Sequence, residues 1–250
     1  LYTQVFKELV EAGATYIQVD EPIFVSDEER NYVELAHKVY NHFNNEVNAK
    51  FIFQTYFEAL VEAERLASLP VAFGLDFVHD RKENLANLKA GLFKDKKVFA
   101  GVIDGRNVWS NDFEDSSALL EEIKAHVDEL VIQPSCSLLH VPVTTKNETE
   151  LEETLLNGLA FADQKLVELN LLANKLDGKE DAEYDIYSKD YESSWGNYKH
   201  ALLHPLGFGM TYGIGVEYKK LMINVSGKNM GIIAEDEGPG DVKEHNFVLG

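Results

Sequence analysis

A thiol and an imidazole four residues apart, Cys136 and His140, stand in Gln-Pro-Ser-Cys-Ser-Leu-Leu-His-Val-Pro-Val (133–143), directly after the apolar run 130–132. That run reads as a short buried strand, and α/β folds gather their chemistry just past the carboxyl ends of strands. Three roles are open to Cys136: a nucleophile if a base lies within hydrogen-bond reach, a metal ligand if further donors converge, or a small packed residue. Carboxylates form a second set of candidates. Asp20 and Glu21 could act as acid and base or hold an amine, although alternation along a strand sends adjacent side chains to opposite faces. Arg106 and Asn107 suit a carboxylate ligand, and the plainer alternative for Asp20 and Glu21 is a carboxylate satisfied by nearby backbone amides or paired with Arg106. Asp76, His79 and Asp80 follow a third run, Asp104 opens the Arg106 cluster, and Ser135 and Ser137 flank the cysteine.

The elements that must position these residues alternate. Tyr2, Val5, Phe6, Leu9 and Val10 have helical spacing and stop at Gly13, before a β-rich run at 16–19. Ser26 with Glu29 forms a capping-box pattern ahead of a helix over 32–43. A strand at 51–54, a helix over 59–69 ending before Pro70, a strand at 71–78, a helix over 82–92 and a strand at 98–103 follow. A helix over 117–130 leads into the fifth strand. Thr145 with Glu148 caps a long helix to about Asp177, its apolar face carried by Leu151, Leu155, Leu159, Ala162, Leu166, Leu169 and Leu176. Apolar strands separated by helices predict a parallel sheet with right-handed crossovers. No glycine-rich phosphate loop follows any strand, and polar clusters follow four of the five. The fold expected is therefore α/β, of the (β/α)8 TIM-barrel type, incomplete, with about the last five β/α units.

Composition bounds the function. The chain has 250 residues, 45% of them hydrophobic, with a formal net charge of −20, enough for a large core and unsuited to nucleic-acid phosphates or anionic membranes. One cysteine cannot form an internal disulfide, which fits a reducing compartment. No apolar run approaches the roughly 18 residues of a membrane span, and the first residues show no signal-peptide pattern. A cytoplasmic protein with small-molecule substrates, no nucleic acid and no membrane partner is the expectation. The start at Leu1, already inside a helical pattern, suggests a portion of something longer.

Six strings occur in one order: Tyr-Ile-Gln-Val-Asp-Glu-Pro (16–22), Gln-Thr-Tyr-Phe-Glu (54–58), Leu-Pro-Val (69–71), Gly-Val-Ile-Asp-Gly-Arg-Asn-Val-Trp (101–109), Ser-Cys-Ser-Leu-Leu-His-Val-Pro (135–142) and Leu-Ala-Phe-Ala-Asp-Gln-Lys-Leu-Val-Glu-Leu (159–169). Together they resemble the later part of the amino-terminal domain of the cobalamin-independent methionine synthases, the 5-methyltetrahydropteroyltriglutamate–homocysteine methyltransferases. The resemblance implies a two-barrel enzyme that passes a methyl group from 5-methyltetrahydrofolate polyglutamate to homocysteine, whose thiol is activated by zinc in the carboxyl-terminal barrel. That barrel and the first strands of this one are then the missing partners. It further implies that Cys136 occupies a zinc-like position without its partners, since Gln54-Thr55-Tyr56 stand where the catalytic barrel has a histidine and a second cysteine. Asp20 corresponds to the aspartate that holds the homocysteine amino group there. Asp20, Glu21, Arg106 and Asn107 are the substrate-binding candidates, the catalytic residues remain unassigned, and no metal is expected in this chain. A non-catalytic scaffold or ligand-binding barrel, and a carboxylate hydrolase using Asp20 or Glu21 with Asp76, are the alternatives.

From residue 178 the alternation ends. The division expected is a partial barrel over 1–177 and a linker with a β-rich tail over 178–250. Residues 179–192 are charged and tyrosine-rich, while 204–218 show glycine spacing and 221–225 alternate, which suggests short antiparallel strands. The Pro-x-Gly-x-Gly-x-Thr-Tyr spacing at 205–212 resembles a segment leading into the fibronectin-like domain of family 3 glycoside hydrolases. Asp236, Glu237 and Asp241 could meet a cation, without a calcium-loop spacing.

Overall fold

The computed structural model describes residues 1–26, 32–179 and 182–188, and the strand residues 215–218, 221–226, 229–235 and 242–246. The readings at Glu29, at the glycine-spaced residues 204–214 and at Asp236, Glu237 and Asp241 lie outside the described residues. Two compact units are present: residues 1–147 with 159–188, and 148–158 with 189–250.

The first unit alternates helix and strand from its first residues. Helix α1 (Tyr2–Glu11) leads to strand β1 (Tyr16–Asp20), α2 (Val33–Glu46) to β2 (Lys50–Gln54), and α3 (Ala63–Leu66) to β3 (Ala72–Asp76). Helix α4 (Arg81–Lys89), β4 (Lys97–Ile103), α5 (Phe113–Lys124) and β5 (Glu129–Pro134) continue the pattern. The turn after α1 needs Gly13, whose φ of +106° is a conformation side chains resist. All five strands are parallel and lie side by side in chain order. A doubly wound sheet reverses its strand order at a switch point. Here the order never reverses, so right-handed crossovers stack every helix on one face, as in a barrel wall.

The sheet also curls. Gln54 at the end of β2 and Gln133 in β5 are three strand spacings apart, roughly 14 Å on a flat sheet, yet Gln133 Nε2 donates to Gln54 Oε1 at 2.9 Å. Side chains of this length meet only across a concave face. On the helix side, aromatic rings fill the layer: Phe6 lies edge-on to Phe43 at 5.0 Å, Phe43 stacks on Phe51 at 5.5 Å, and Phe73 meets Phe93 at 4.8 Å. Phe51, Phe53 and Phe73 are buried because strand alternation sends them to that layer.

Three helix expectations are corrected. The helix over 59–69 is only the single turn α3, because Phe57 and Glu62 adopt positive φ (76° and 52°) and the intervening amides leave the local ladder. Leu60 N–H donates to Asn84 Oδ1 and Val61 N–H to the Phe24 carbonyl. The helix over 117–130 begins earlier and ends earlier as α5, since Asp112 caps it by accepting from Asp115 N–H at 3.0 Å. The long helix to Asp177 is two helices, α6 (Glu153–Asn157) and α7 (Ala162–Leu176). It breaks because Ala160 N–H donates to the Val108 carbonyl, Leu159 bridges to Trp109, and Ala162 and Asp163 donate to the Pro142 and Val143 carbonyls. The expected Thr145 cap is a short 3-10 turn over Thr145–Asn147.

The buried face of α7 matches the expected one only in part: Leu169 and Leu176 pack against the core. Leu166 is 55% exposed, whereas Lys165, Glu168, Leu171 and Leu172 are buried. Hydrophobicity alone misses Lys165 and Glu168, two charged residues that stand where the core is reached.

In the second unit, β6 (Gly215–Tyr218), β7 (Leu221–Ser226), β8 (Asn229–Glu235) and β9 (Val242–Asn246) form an antiparallel sheet in chain order. The strand read at 221–225 is part of β7.

Candidate functional site at the carboxyl ends of the strands

Phe57, which the sequence did not single out, is the centre of the site. It follows β2 with a left-handed backbone, a strained state for a bulky residue. Its N–H is held by Asp76 Oδ2 at 2.8 Å. Around its ring lie Tyr56 from the same loop at 6.0 Å, His79 from the β3 loop edge-on at 5.6 Å, and His140 from the β5 loop at 6.4 Å. The Arg106 guanidinium from the β4 loop covers it, with Cζ 4.9 Å from the ring centre. Four strand ends thus meet on one aromatic ring.

Asp76 is the anchor. It is 0% exposed, and besides Phe57 N–H it accepts from Val78 N–H (2.8 Å), His79 N–H (3.0 Å) and His79 Nδ1 (2.7 Å). Both carboxylate oxygens are committed to ordering loops, so no oxygen faces a reacting group as the hydrolase alternative requires. Burial works against the charged form of His79, but the hydrogen bond and charge of Asp76, with Asp104 beyond, leave its pKa raised. A raised value in the folded chain means that the imidazolium stabilises fully below its ordinary 6.5 and that this support is lost as pH rises through the folded value. The melting-temperature advantage of the parent chain over His79→Gln is therefore expected to be fully present below the ordinary 6.5 and to shrink as pH rises through the folded value. A constant gap in scanning calorimetry would refute the charged pair.

The predicted residues divide between the two sides of the sheet. Asp20 is exposed and accepts from Gln18 Nε2 at 2.8 Å and from Tyr56 OH at 3.1 Å. Glu21 accepts from Tyr40 OH at 2.5 Å, on the α2 side. Burial raises the Glu21 pKa, with the Tyr40 hydrogen bond opposing and the Asp20 charge adding. The alternation argument thus separates them, and the plainer reading of Asp20 is corrected: its partners are Gln18 and Tyr56, while Arg106 lies on Phe57. Asp80 caps α4 through Glu83 N–H.

Asp104 organises the β4 loop. Its Oδ1 accepts from Arg106 N–H at 2.8 Å and Asn107 N–H at 3.3 Å, and its Oδ2 from Asn107 Nδ2 at 2.8 Å. The Asn107 side chain is fully engaged, since its Oδ1 also accepts from Trp109 N–H at 3.0 Å. Arg106 is left exposed. Gly105 lies against the next loop: a Cβ there would sit 2.6 Å from the Cys136 carbonyl oxygen.

Cys136 is buried, and its Sγ faces the Ser137 carbonyl at 3.8 Å. Burial pushes its thiol up to about 11, Ser135 opposing and the charges of Asp104 and Asp76 adding. His140 is exposed, and its ring contact is with Phe57. A buried, protonated thiol is a poor nucleophile. Gln54, at the end of β2, is an amide bonded to Gln133 and to the Thr55 carbonyl, and among the described residues no group of three His, Cys, Asp or Glu side chains could hold a metal ion. No described helix is long and apolar enough to cross a membrane.

Residues 1–128 match the family model for the cobalamin-independent synthase N-terminal domain. The chain belongs to the cobalamin-independent synthase family. A 5-methyltetrahydropteroyltriglutamate–homocysteine methyltransferase of Streptococcus mutans is 61% identical over 195 residues, covering 77% of this chain and 26% of the relative. A Streptococcus agalactiae protein of the same name is 53% identical over 209 residues, covering 82% of this chain and 28% of the relative. The chain thus spans about a quarter of the length of the curated relatives it matches. Among solved structures, a B12-independent methionine synthase from Shewanella in complex with selenomethionine superposes with a TM-score of 0.49 at 16% identity, over 71% of this chain and 55% of that one.

Proposed function

We propose that this chain is part of an enzyme that makes methionine by transferring a methyl group from 5-methyltetrahydrofolate polyglutamate to homocysteine, and that it supplies the amino-terminal barrel portion, without the zinc. The observation that carries this reading is the 61% identity to a relative named for that substrate pair, together with the match to an N-terminal domain model. In this reading zinc and homocysteine belong to a carboxyl-terminal barrel, and the Phe57 cluster is one wall of the folate site.

Arg106 is the residue in this wall suited to a carboxylate of the glutamate tail. Its guanidinium is exposed, lies over Phe57 and can offer two parallel N–H groups. Asn107 braces the loop beneath it. Asp20, fixed by Gln18 and Tyr56, offers a carboxylate that suits an amine, whereas Glu21 faces α2 and stays outside the wall. Titration calorimetry of the 250-residue chain with 5-methyltetrahydropteroyltriglutamate and its monoglutamate tests this. The triglutamate is expected to bind about tenfold tighter, with the preference lost in Arg106→Ala. Equal affinities for the two tail lengths in the parent chain would overturn the reading.

A further inference from the structure

Lys165 and Glu168 lie one turn apart on the inward side of α7, 1% and 0% exposed. Charged side chains are rarely buried so fully, and burial is costly unless partners compensate. The same face continues with Leu171 and Leu172, so leucine-like packing is available at this depth, and packing by itself does not call for either charge. What the two side chains share is one loop. The Lys165 ammonium donates to the Trp109 carbonyl at 3.0 Å and to Asn107 Oδ1 at 3.4 Å. Glu168 Oε1 accepts from Asn111 N–H at 2.8 Å, while Oε2 is buried with no hydrogen-bond partner among the described residues. From Asn107 the connection runs on through Asp104 to the Arg106 N–H.

We propose that Lys165 and Glu168 are positioning residues that clamp the loop after β4 to α7 and so hold Arg106 over Phe57, where it meets an anionic ligand. The ligand half of this rests on the reading of Arg106 given above; the clamp does not. The electrostatics agree with the geometry. Burial lowers the Lys165 pKa, with Glu168 and Asp104 opposing, and burial pushes Glu168 up to about 7 despite Lys165 and the Asn111 amide. Burial thus works against the charged form of both groups, a cost that a purely apolar α7 would not carry.

Two measurements on the full chain decide it. The first needs no ligand: nuclear magnetic resonance of Arg106 side-chain protons, which the Phe57 ring current displaces. Lys165→Met, or Glu168→Leu where the first variant does not fold, is expected to abolish that displacement while the sheet's amide signals persist. A folded variant that keeps the displacement overturns the proposal, whatever any ligand does. The second is a double-mutant cycle with 5-methyltetrahydropteroyltriglutamate as probe. Lys165→Met is expected to weaken binding about tenfold alone and less than about twofold in an Arg106→Ala background, because contacts acting through one group are not additive. A merely structural role would give equal losses in both backgrounds and would also overturn it. If Arg106→Ala alone leaves binding intact, the carboxylate reading fails, and the ring-current result still decides the clamp.

Discussion

Gly101→Ala is expected to lower the melting temperature of the chain by roughly 10 °C, the equivalent of about 3 kcal/mol for a domain of this size. A Cβ at Gly101 would stand 2.7 Å from Ser135 Cα and 3.2 Å from the Leu75 and Pro134 carbonyl oxygens. All three are backbone-fixed atoms of the neighbouring strands or their ends, so nothing flexible can swing away. The approach is this close because the β4–β5 pairing shifts register between Gly101 and Ile103, and Ser135 N–H then reaches the Ile103 carbonyl at 2.7 Å. Adding one methyl group must therefore push β5 off β4 at the point where the Cys136 loop departs. Differential scanning calorimetry reads the shift; a melt within about 2 °C of the parent would show that the strand ends can part at little cost.

Asp76→Ala is expected to destabilise by about 3–5 kcal/mol, as removal of one partner from a buried charged network does. The carboxylate accepts three backbone N–H groups and the His79 ring, and alanine leaves all of them buried or half-buried without an acceptor. The left-handed Phe57 loses its tether at the same time, so the ring that gathers Arg106, His79 and His140 is free to leave. Two readings follow from one variant: a lower denaturant midpoint in urea, and loss of the tail-length preference even where the chain remains folded. A midpoint unchanged within error would mean that water replaces the carboxylate without loss, contrary to the burial of this group.

These effects bear on what kind of site this is. The acidic groups with the most suggestive spacing turn out to be structural or separated: Asp76 orders two loops, Asp80 caps a helix, and Glu21 faces away from Asp20. The exposed groups held at the mouth are Asp20 and Arg106, each fixed by neighbours and each free to meet a ligand. In the function proposed above, this arrangement suits a binding wall whose positions are set by buried networks.

The amino-acid sequence by itself determined the alternation of α1 to β5, the parallel sheet and the polar clusters at its strand ends, because period and apolar run length are local properties that survive without knowledge of neighbours. Six strings in order determined the family. The strand at 221–225 was legible for the same reason, as alternation bounded by polar residues. What only the tertiary structure decided is everything that depends on contacts between distant segments. The helix over 59–69 dissolved because Asn84 and Phe24 capture its amides, and the long helix to Asp177 broke where Val108 and Trp109 take its backbone. Lys165 and Glu168 take buried places on α7 that the expected leucine stripe did not include, because a loop more than 50 residues away in sequence supplies their partners. Phe57 shows the same limit most clearly. Nothing in its local sequence marks it as a centre, since its importance lies in a positive φ held by Asp76 and in four loops that only the curl of the sheet brings onto one ring.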